Sequence, residues 1–136
     1  MCFYNKNNKI LRAKEDIVCH KFMFNEDGKI FSIIERFPYV LGKPNKEIKL
    51  KYNKDENVYR IKQGYHSYIP RQEDFGWGWD ELYECIIPKG SKYAVNEREY
   101  VSSNIIIVKK IKDNLRARSG VRDFQSVKSP IVQFFR

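Results

Sequence analysis

The run Gly64-Tyr65-His66-Ser67-Tyr68 sets an imidazole and a hydroxyl side by side among aromatic rings. Histidine titrates near neutral pH and serves as a proton shuttle or a ligand contact, and a serine whose proton is taken by a base is a nucleophile. If the run is a strand, consecutive side chains leave from opposite faces, so His66 and Ser67 do not activate one another. His66, with Tyr65 and Tyr68, therefore reads as a ligand-contacting or structural group. Asp80, Glu81 and Glu84 gather just ahead of the apolar Cys85-Ile86-Ile87, where paired carboxylates could act as general acid and base; the competing reading is a set of solvent-facing charges balancing Arg71 and Lys89. Ser67 and Glu84 are the nearest approach to a catalytic pair, and no complete catalytic motif surrounds them.

Trp77 and Trp79, with Phe75 and Tyr83, form the densest aromatic group, separated by Gly76 and Gly78. Flat rings on a glycine-rich loop suit stacking against a ring-bearing ligand, or else core packing beneath a loop. The ligand-binding set expected from sequence is Tyr65, His66, Tyr68, Trp77 and Trp79. The acidic residues after Gly76 and Gly78 would repel a phosphate, so this is not a phosphate loop. Cys2, Cys19 and Cys85 are odd in number and lack C-x-x-C spacing, and His20 and His66 have no ligand-spaced companions; neither a disulfide framework, a metal site nor a cofactor is expected.

Charge points to a partner. The 136 residues carry a net charge of +9, and residues 109–136 hold eight cations against two carboxylates, a surplus of six that leaves three for the rest. Lys109, Lys110, Lys112, Arg116, Arg118 and Arg122 are the candidate anion-binding residues. Clustered cations release condensed counterions on binding, which suits nucleic acid, a nucleotide-derived ligand or an acidic host protein; the same charges also serve as a solvated face.

These side chains need a scaffold, and the pattern is that of strands. Val18 to Phe24 alternates, Ile30 to Ile34 is apolar, and Asp27-Gly28 between them predicts a hairpin. Ile48-Lys49-Leu50-Lys51-Tyr52 alternates as a strand with one wet, lysine-rich face. Val58 to Lys62 and Gly64 to Tyr68 read as two strands joined by a loop, Pro70 to Glu84 as an irregular loop with one helical turn, and Cys85 to Ile87 and Tyr93 to Val95 as short strands. The branched run Asn104 to Val108 predicts a strand covered on both faces. A short helix is expected from Ile111 to Arg118, and the seven apolar residues beyond Gly120 predict that the tail docks on the body or on a partner. The fold class is α+β, mostly β, a compact antiparallel or mixed sheet with one or two short helices: one domain over residues 1–111 and a basic, partly apolar tail over residues 112–136. No apolar run approaches the roughly 20 residues of a membrane span and no secretory signal opens the chain, which predicts a cytoplasmic protein.

Gly64 to Tyr68, Glu84-Cys85-Ile86-Ile87-Pro88-Lys89-Gly90-Ser91-Lys92-Tyr93 and Tyr100 to Ile107 together resemble small uncharacterised proteins of bacteriophages and mobile elements, over about the middle third of the chain. The resemblance implies a phage accessory protein in a bacterial cytoplasm and no defined activity. A fainter similarity is to ADP-ribosyltransferases, in which a serine-bearing strand precedes a catalytic glutamate before an apolar strand ending in Pro-x-Gly. Ser67 and Glu84 occupy those places, but the family's companion glutamate falls on Leu82 and no nicotinamide-site arginine is assignable, which implies a related fold without the activity. Three roles follow as expectations: a non-enzymatic binder of an anionic partner, an ADP-ribosyltransferase-like enzyme, and a homo-oligomeric interaction protein.

Overall fold

The computed structural model describes residues 3–33, 36–72 and 80–112. These form β1 (Phe3–Asn5), β2 (Leu11–Arg12), β3 (Ile17–Glu26), β4 (Lys29–Ser32), β5 (Pro38–Tyr39), β6 (Asn53–Asp55), β7 (Val58–Ile61), β8 (Tyr65–Tyr68), β9 (Asp80–Ile87), β10 (Lys92–Val95), β11 (Glu99–Ser102) and β12 (Ile106–Lys112). The protein is mostly β, and no helix occurs among the described residues. It follows that no described helix is long and apolar enough to cross a membrane. The start of the helix expected from Ile111 is corrected, since Ile111 and Lys112 belong to β12; the rest of that segment and the expected tail docking fall outside the described residues.

Every pairing is antiparallel. A nine-stranded sheet runs β12-β9-β3-β8-β11-β10-β2, with β4 paired to β3 and β5 to β4, and a three-stranded sheet runs β1-β7-β6. The centre of the large sheet is the long β3–β9 ladder, whose register runs unbroken from Ile17↔Ile87 to Phe24↔Asp80. Because side chains alternate, this register sorts residues onto two faces. One face carries Cys19, Met23, Tyr83, Cys85, Ile87, Tyr65 and Ile107 into a core completed by Ile30, Tyr39 and Ile105. On the other face Ala94 and Val101 pack with Phe3 and Ile61 of the small sheet and with Leu50. Removing a large aliphatic side chain from water stabilises a fold by about 1.5–3 kcal/mol, so the fully buried Ile61, Ile87, Ile105 and Ile107 are principal anchors.

The hairpin at Asp27-Gly28 forms as expected. Both residues have positive φ, 54° and 83°, and the Gly28 N–H donates to Asn25 Oδ1 at 3.1 Å, which gives a two-residue turn matched to the twist of β3 and β4. Gly64 has a different reason to be glycine. A Cβ there would lie 2.5 Å from Val101 Cγ2 and 2.8 Å from Leu50 Cδ2, so its absence lets the entrance of β8 lie against β11 and the 47–50 segment.

Several expectations are corrected. Ile48 to Tyr52 alternates in burial, with Leu50 buried and Lys49 and Lys51 exposed, but it is extended chain outside any strand; the Ile48 N–H donates to Ser103 O at 2.9 Å. Alternation reports which side meets the core and does not require a ladder partner. The Asn104 to Val108 run is not covered on both faces: Ile105 and Ile107 are fully buried, while Val108 is 38% exposed. Its strand, β12, is an edge of the large sheet and has a bulge between Ile107 and Lys109. Residues Asp80 to Glu84, expected within an irregular loop, already belong to β9, because β3 is long enough to pair with them.

Candidate functional site

Strand β8 divides the predicted residues between the two faces. Tyr65 and Ser67 are buried on the side of the first core. The Tyr65 hydroxyl donates to Lys46 O at 2.6 Å, its ring meets Phe37 and Tyr39 edge-on, and burial raises its pKa. Ser67 Oγ is buried with no hydrogen-bond partner of ordinary geometry. His66 and Tyr68 leave from the other face, and Tyr68 packs edge-on against Phe22 at 6.2 Å. His66 is mostly enclosed beside Val101, its partner across β8 and β11; neither ring nitrogen makes a hydrogen bond of ordinary geometry, and a weak interaction with the Lys62 backbone opposes the fall in its pKa without cancelling it. Burial, reinforced by the charge of Lys21, lowers its pKa to about 4, so at neutral pH the ring is uncharged. The Lys21 ammonium itself donates to His66 O at 2.6 Å. The structure thus does not present Tyr65, His66 and Tyr68 to one common space. Trp77 and Trp79 lie outside the described residues.

Ser67 and Glu84 also part company. His20 is opposite both Tyr68 and Glu84, so these three share a face, while Ser67 shares the opposite face with Cys19 and Cys85. His66 is on the Glu84 face, with β3 between them. The register adds Lys109 of β12 opposite Glu84, so Tyr68, His20, Glu84 and Lys109 form one row across four strands. The register thus sets a carboxylate between an imidazole and an ammonium, a neighbourhood that no local spacing signals, since each member comes from a different strand. Glu81 points away from Glu84, and the two do not form a carboxylate pair. Its carboxylate instead accepts the Tyr83 hydroxyl at 2.9 Å and the Asn25 amide at 3.2 Å, and pairs with Lys110 at 3.5 Å. Burial first, and then this carboxylate, push the Tyr83 pKa up to about 12.

Of the predicted anion-binding residues, Lys109 is exposed, Lys110 is tied to Glu81, and Lys112 ends β12. Arg116, Arg118 and Arg122 lie outside the described residues.

A concave site appears elsewhere. Between β2 and the extended 47–50 segment lies a cleft of about 500 Å³. Ile10, Leu11, Ile48 and Leu50 are its aliphatic lining residues, Ser103 and Glu47, the single acidic residue, also line it, and Arg12, Lys49 and Lys92 are its basic ones. Among the described residues none of these three is in an ion pair; the Arg12 guanidinium donates to Gly90 O at 2.7 Å. The cleft is held open by backbone. Residues Lys92 and Ser103 exchange hydrogen bonds, with Ser103 N–H donating to Lys92 O at 2.8 Å and Lys92 N–H to Ser103 Oγ at 3.0 Å, and the Ser103 carbonyl anchors Ile48. Sequence reasoning missed this site. Its one local trace is the alternation of Lys49 and Lys51 with Ile48 and Leu50, which marks a cationic strip beside an apolar one.

Among the described residues no group of three or more His, Cys, Asp or Glu side chains is placed to hold a metal ion. Comparison of the chain with family models, curated proteins and solved structures finds no match.

Proposed function

We propose that the protein works by binding and not by catalysis, and that it holds an anionic ligand with an apolar body in the cleft between β2 and residues 47–50. The observation that carries this reading is the combination of Arg12, Lys49 and Lys92, all outside ion pairs among the described residues, with the aliphatic walls of Ile10, Leu11, Ile48 and Leu50. The volume falls in the range of roughly 300–1,000 Å³ typical of small-molecule sites, with apolar walls and a few convergent polar groups. A small anion is favoured over a nucleic acid strand because the walls are aliphatic and offer no ring on which bases would stack. The separation of Ser67 and Glu84 onto opposite faces weighs against an ADP-ribosyltransferase-like mechanism, which needs both at one reacting centre. A phage or mobile-element setting rests on the resemblance of the β8, β9–β10 and β11–β12 segments alone.

Anilinonaphthalene sulfonate, an anion on an apolar body, is a suitable probe. The full chain should bind it saturably, and the double substitution Lys49→Glu, Lys92→Glu should weaken binding about tenfold or more while leaving the unfolding midpoint unchanged, since both side chains are exposed. Equal affinity for the two proteins would reject the cleft as the site.

A further inference from the structure

Cys19 and Cys85 stand directly opposite one another on β3 and β9. Both are free thiols, and both are fully buried in the first core cluster. Residues opposed in an antiparallel ladder have Cα atoms about 4.5 or 5.5 Å apart, depending on whether the pair exchanges hydrogen bonds. Either spacing lies within the roughly 4.4–6.8 Å that a disulfide spans. The juxtaposition is fixed by ladder register: the pair sits inside eight consecutive partners, Ile17↔Ile87 to Phe24↔Asp80, with no bulge.

The surroundings treat the two sulfurs differently. A hydrogen bond from the Cys85 thiol favours the thiolate of Cys19 and lowers its pKa, against the opposing effect of burial; Ser67, whose hydroxyl has no ordinary partner, and the charge of Lys21 add smaller pulls in the same direction. Cys85 is pushed up by its role as donor to Cys19 and by burial, and its Sγ also lies 3.8 Å from Tyr83 O. The two sulfurs titrate as one coupled pair, so the first ionisation leaves a thiolate facing a thiol, with Cys19 the favoured thiolate.

We propose that Cys19 and Cys85 are a reversible dithiol–disulfide pair, an oxidation site that staples β3 to β9. With a hydroperoxide as oxidant, the Cys19 thiolate attacks the terminal peroxide oxygen, the O–O bond breaks, and an alkoxide or hydroxide leaves while Cys19 becomes a sulfenic acid. The Cys85 sulfur then attacks Cys19 Sγ; the S–S bond forms, the S–O bond breaks, and hydroxide departs as water with the Cys85 proton. The two thiols lose two electrons and two protons, and the peroxide is reduced to water and an alcohol or a second water. An external thiol reverses the reaction by exchange. Because neither sulfur is exposed, the oxidant reaches the pair during openings of the sheet, so the rate should rise in sub-denaturing urea. The bond would close a loop containing β4 to β8 and remove that freedom from the unfolded chain.

The test uses the full chain with Cys2→Ser, which leaves the pair as its two cysteines. The protein is treated with hydrogen peroxide in sub-denaturing urea, unfolded, alkylated with a maleimide and weighed. The expected product is a monomer lighter by two hydrogens that takes up no maleimide, yields a cross-linked peptide joining Cys19 to Cys85, reverts with dithiothreitol, and melts roughly 10 °C higher than the reduced form. Two maleimides on every molecule, sulfinic acid on either sulfur without a cross-link, or a cross-link found solely between chains would overturn the proposal. Adding Cys85→Ser should abolish the product; if that variant does not fold, the result on the parent decides alone.

Discussion

Acidification should destabilise this protein through His66, and the size of the effect follows from its surroundings. The ring is mostly enclosed, its two nitrogens make no hydrogen bond of ordinary geometry, and its pKa falls from the ordinary 6.5 to about 4, chiefly through burial and then through Lys21, against a smaller opposing pull from the Lys62 backbone. The unfolded chain takes up a proton at this residue near pH 6.5, while the folded chain declines it until about pH 4. Over that window the unfolded state binds more protons, so stability rises with pH. The contribution of the neutral ring is fully present above about pH 6.5 and is lost as the pH falls toward about 4. A lowering of this size, at about 1.4 kcal/mol per pH unit, is worth on the order of 3 kcal/mol. Urea unfolding followed by tryptophan fluorescence at several pH values between about 7.5 and 4, on wild type and His66→Leu, isolates the term, because carboxylates titrate in both proteins and cancel in the difference. The leucine variant should come close to wild type at neutral pH, since it replaces a poorly hydrogen-bonded imidazole in an enclosed site, and should lose less stability on acidification. Identical losses in the two proteins, or a His66 ring resonance that titrates near pH 6.5 in the folded state, would refute the reasoning.

Other substitutions read other parts of the structure by the same unfolding assay. Gly64→Ala should cost about 2–3 kcal/mol, because φ is +150° and the new methyl would meet Val101 and Leu50 at less than contact distance; a neutral result would mean that β8 and β11 are looser than described. Tyr65→Phe should cost about 1 kcal/mol by leaving Lys46 O without the tyrosine hydroxyl. Gly28→Ala should cost about 1 kcal/mol at the β3–β4 turn, where φ is +83° with open space around it, so that any loss comes from backbone conformation and not from a clash.

What the sequence made legible was local. Asp27-Gly28 announced its hairpin because the positive φ that the turn demands leaves few residue choices, and the mostly β character followed from branched and aromatic runs. Burial alternation was also legible: Leu50 faces inward and Lys49 outward, although the segment is not a strand. Register was not. That Ser67 and Glu84 leave from opposite faces depends on β3 lying between β8 and β9 with His20 opposite both Tyr68 and Glu84, and nothing within either short motif encodes that alignment. The cleft was hidden for the same reason. Arg12, Lys92 and Ser103 are brought together by the β2–β10 pairing and the Lys92–Ser103 hydrogen bonds, and a single hydrogen bond from Ile48 N–H to Ser103 O sets the Lys49 backbone beside them. Conversely, Lys110 belonged to a conspicuous basic stretch, yet folding commits it to Glu81. A count of cations along a chain does not separate those that answer a carboxylate at home from those that face an open cleft.

The central claim, an anion-binding cleft between β2 and the 47–50 segment, is tested most directly by amide chemical shifts recorded while the full chain is titrated with anilinonaphthalene sulfonate. Saturable shifts should be confined to Leu11, Arg12, Ile48 to Leu50, Lys92 and Ser103, and should disappear in the Lys49→Glu, Lys92→Glu variant. Shifts that instead cluster at Tyr65 to Tyr68, or that persist unchanged in the variant, would contradict it.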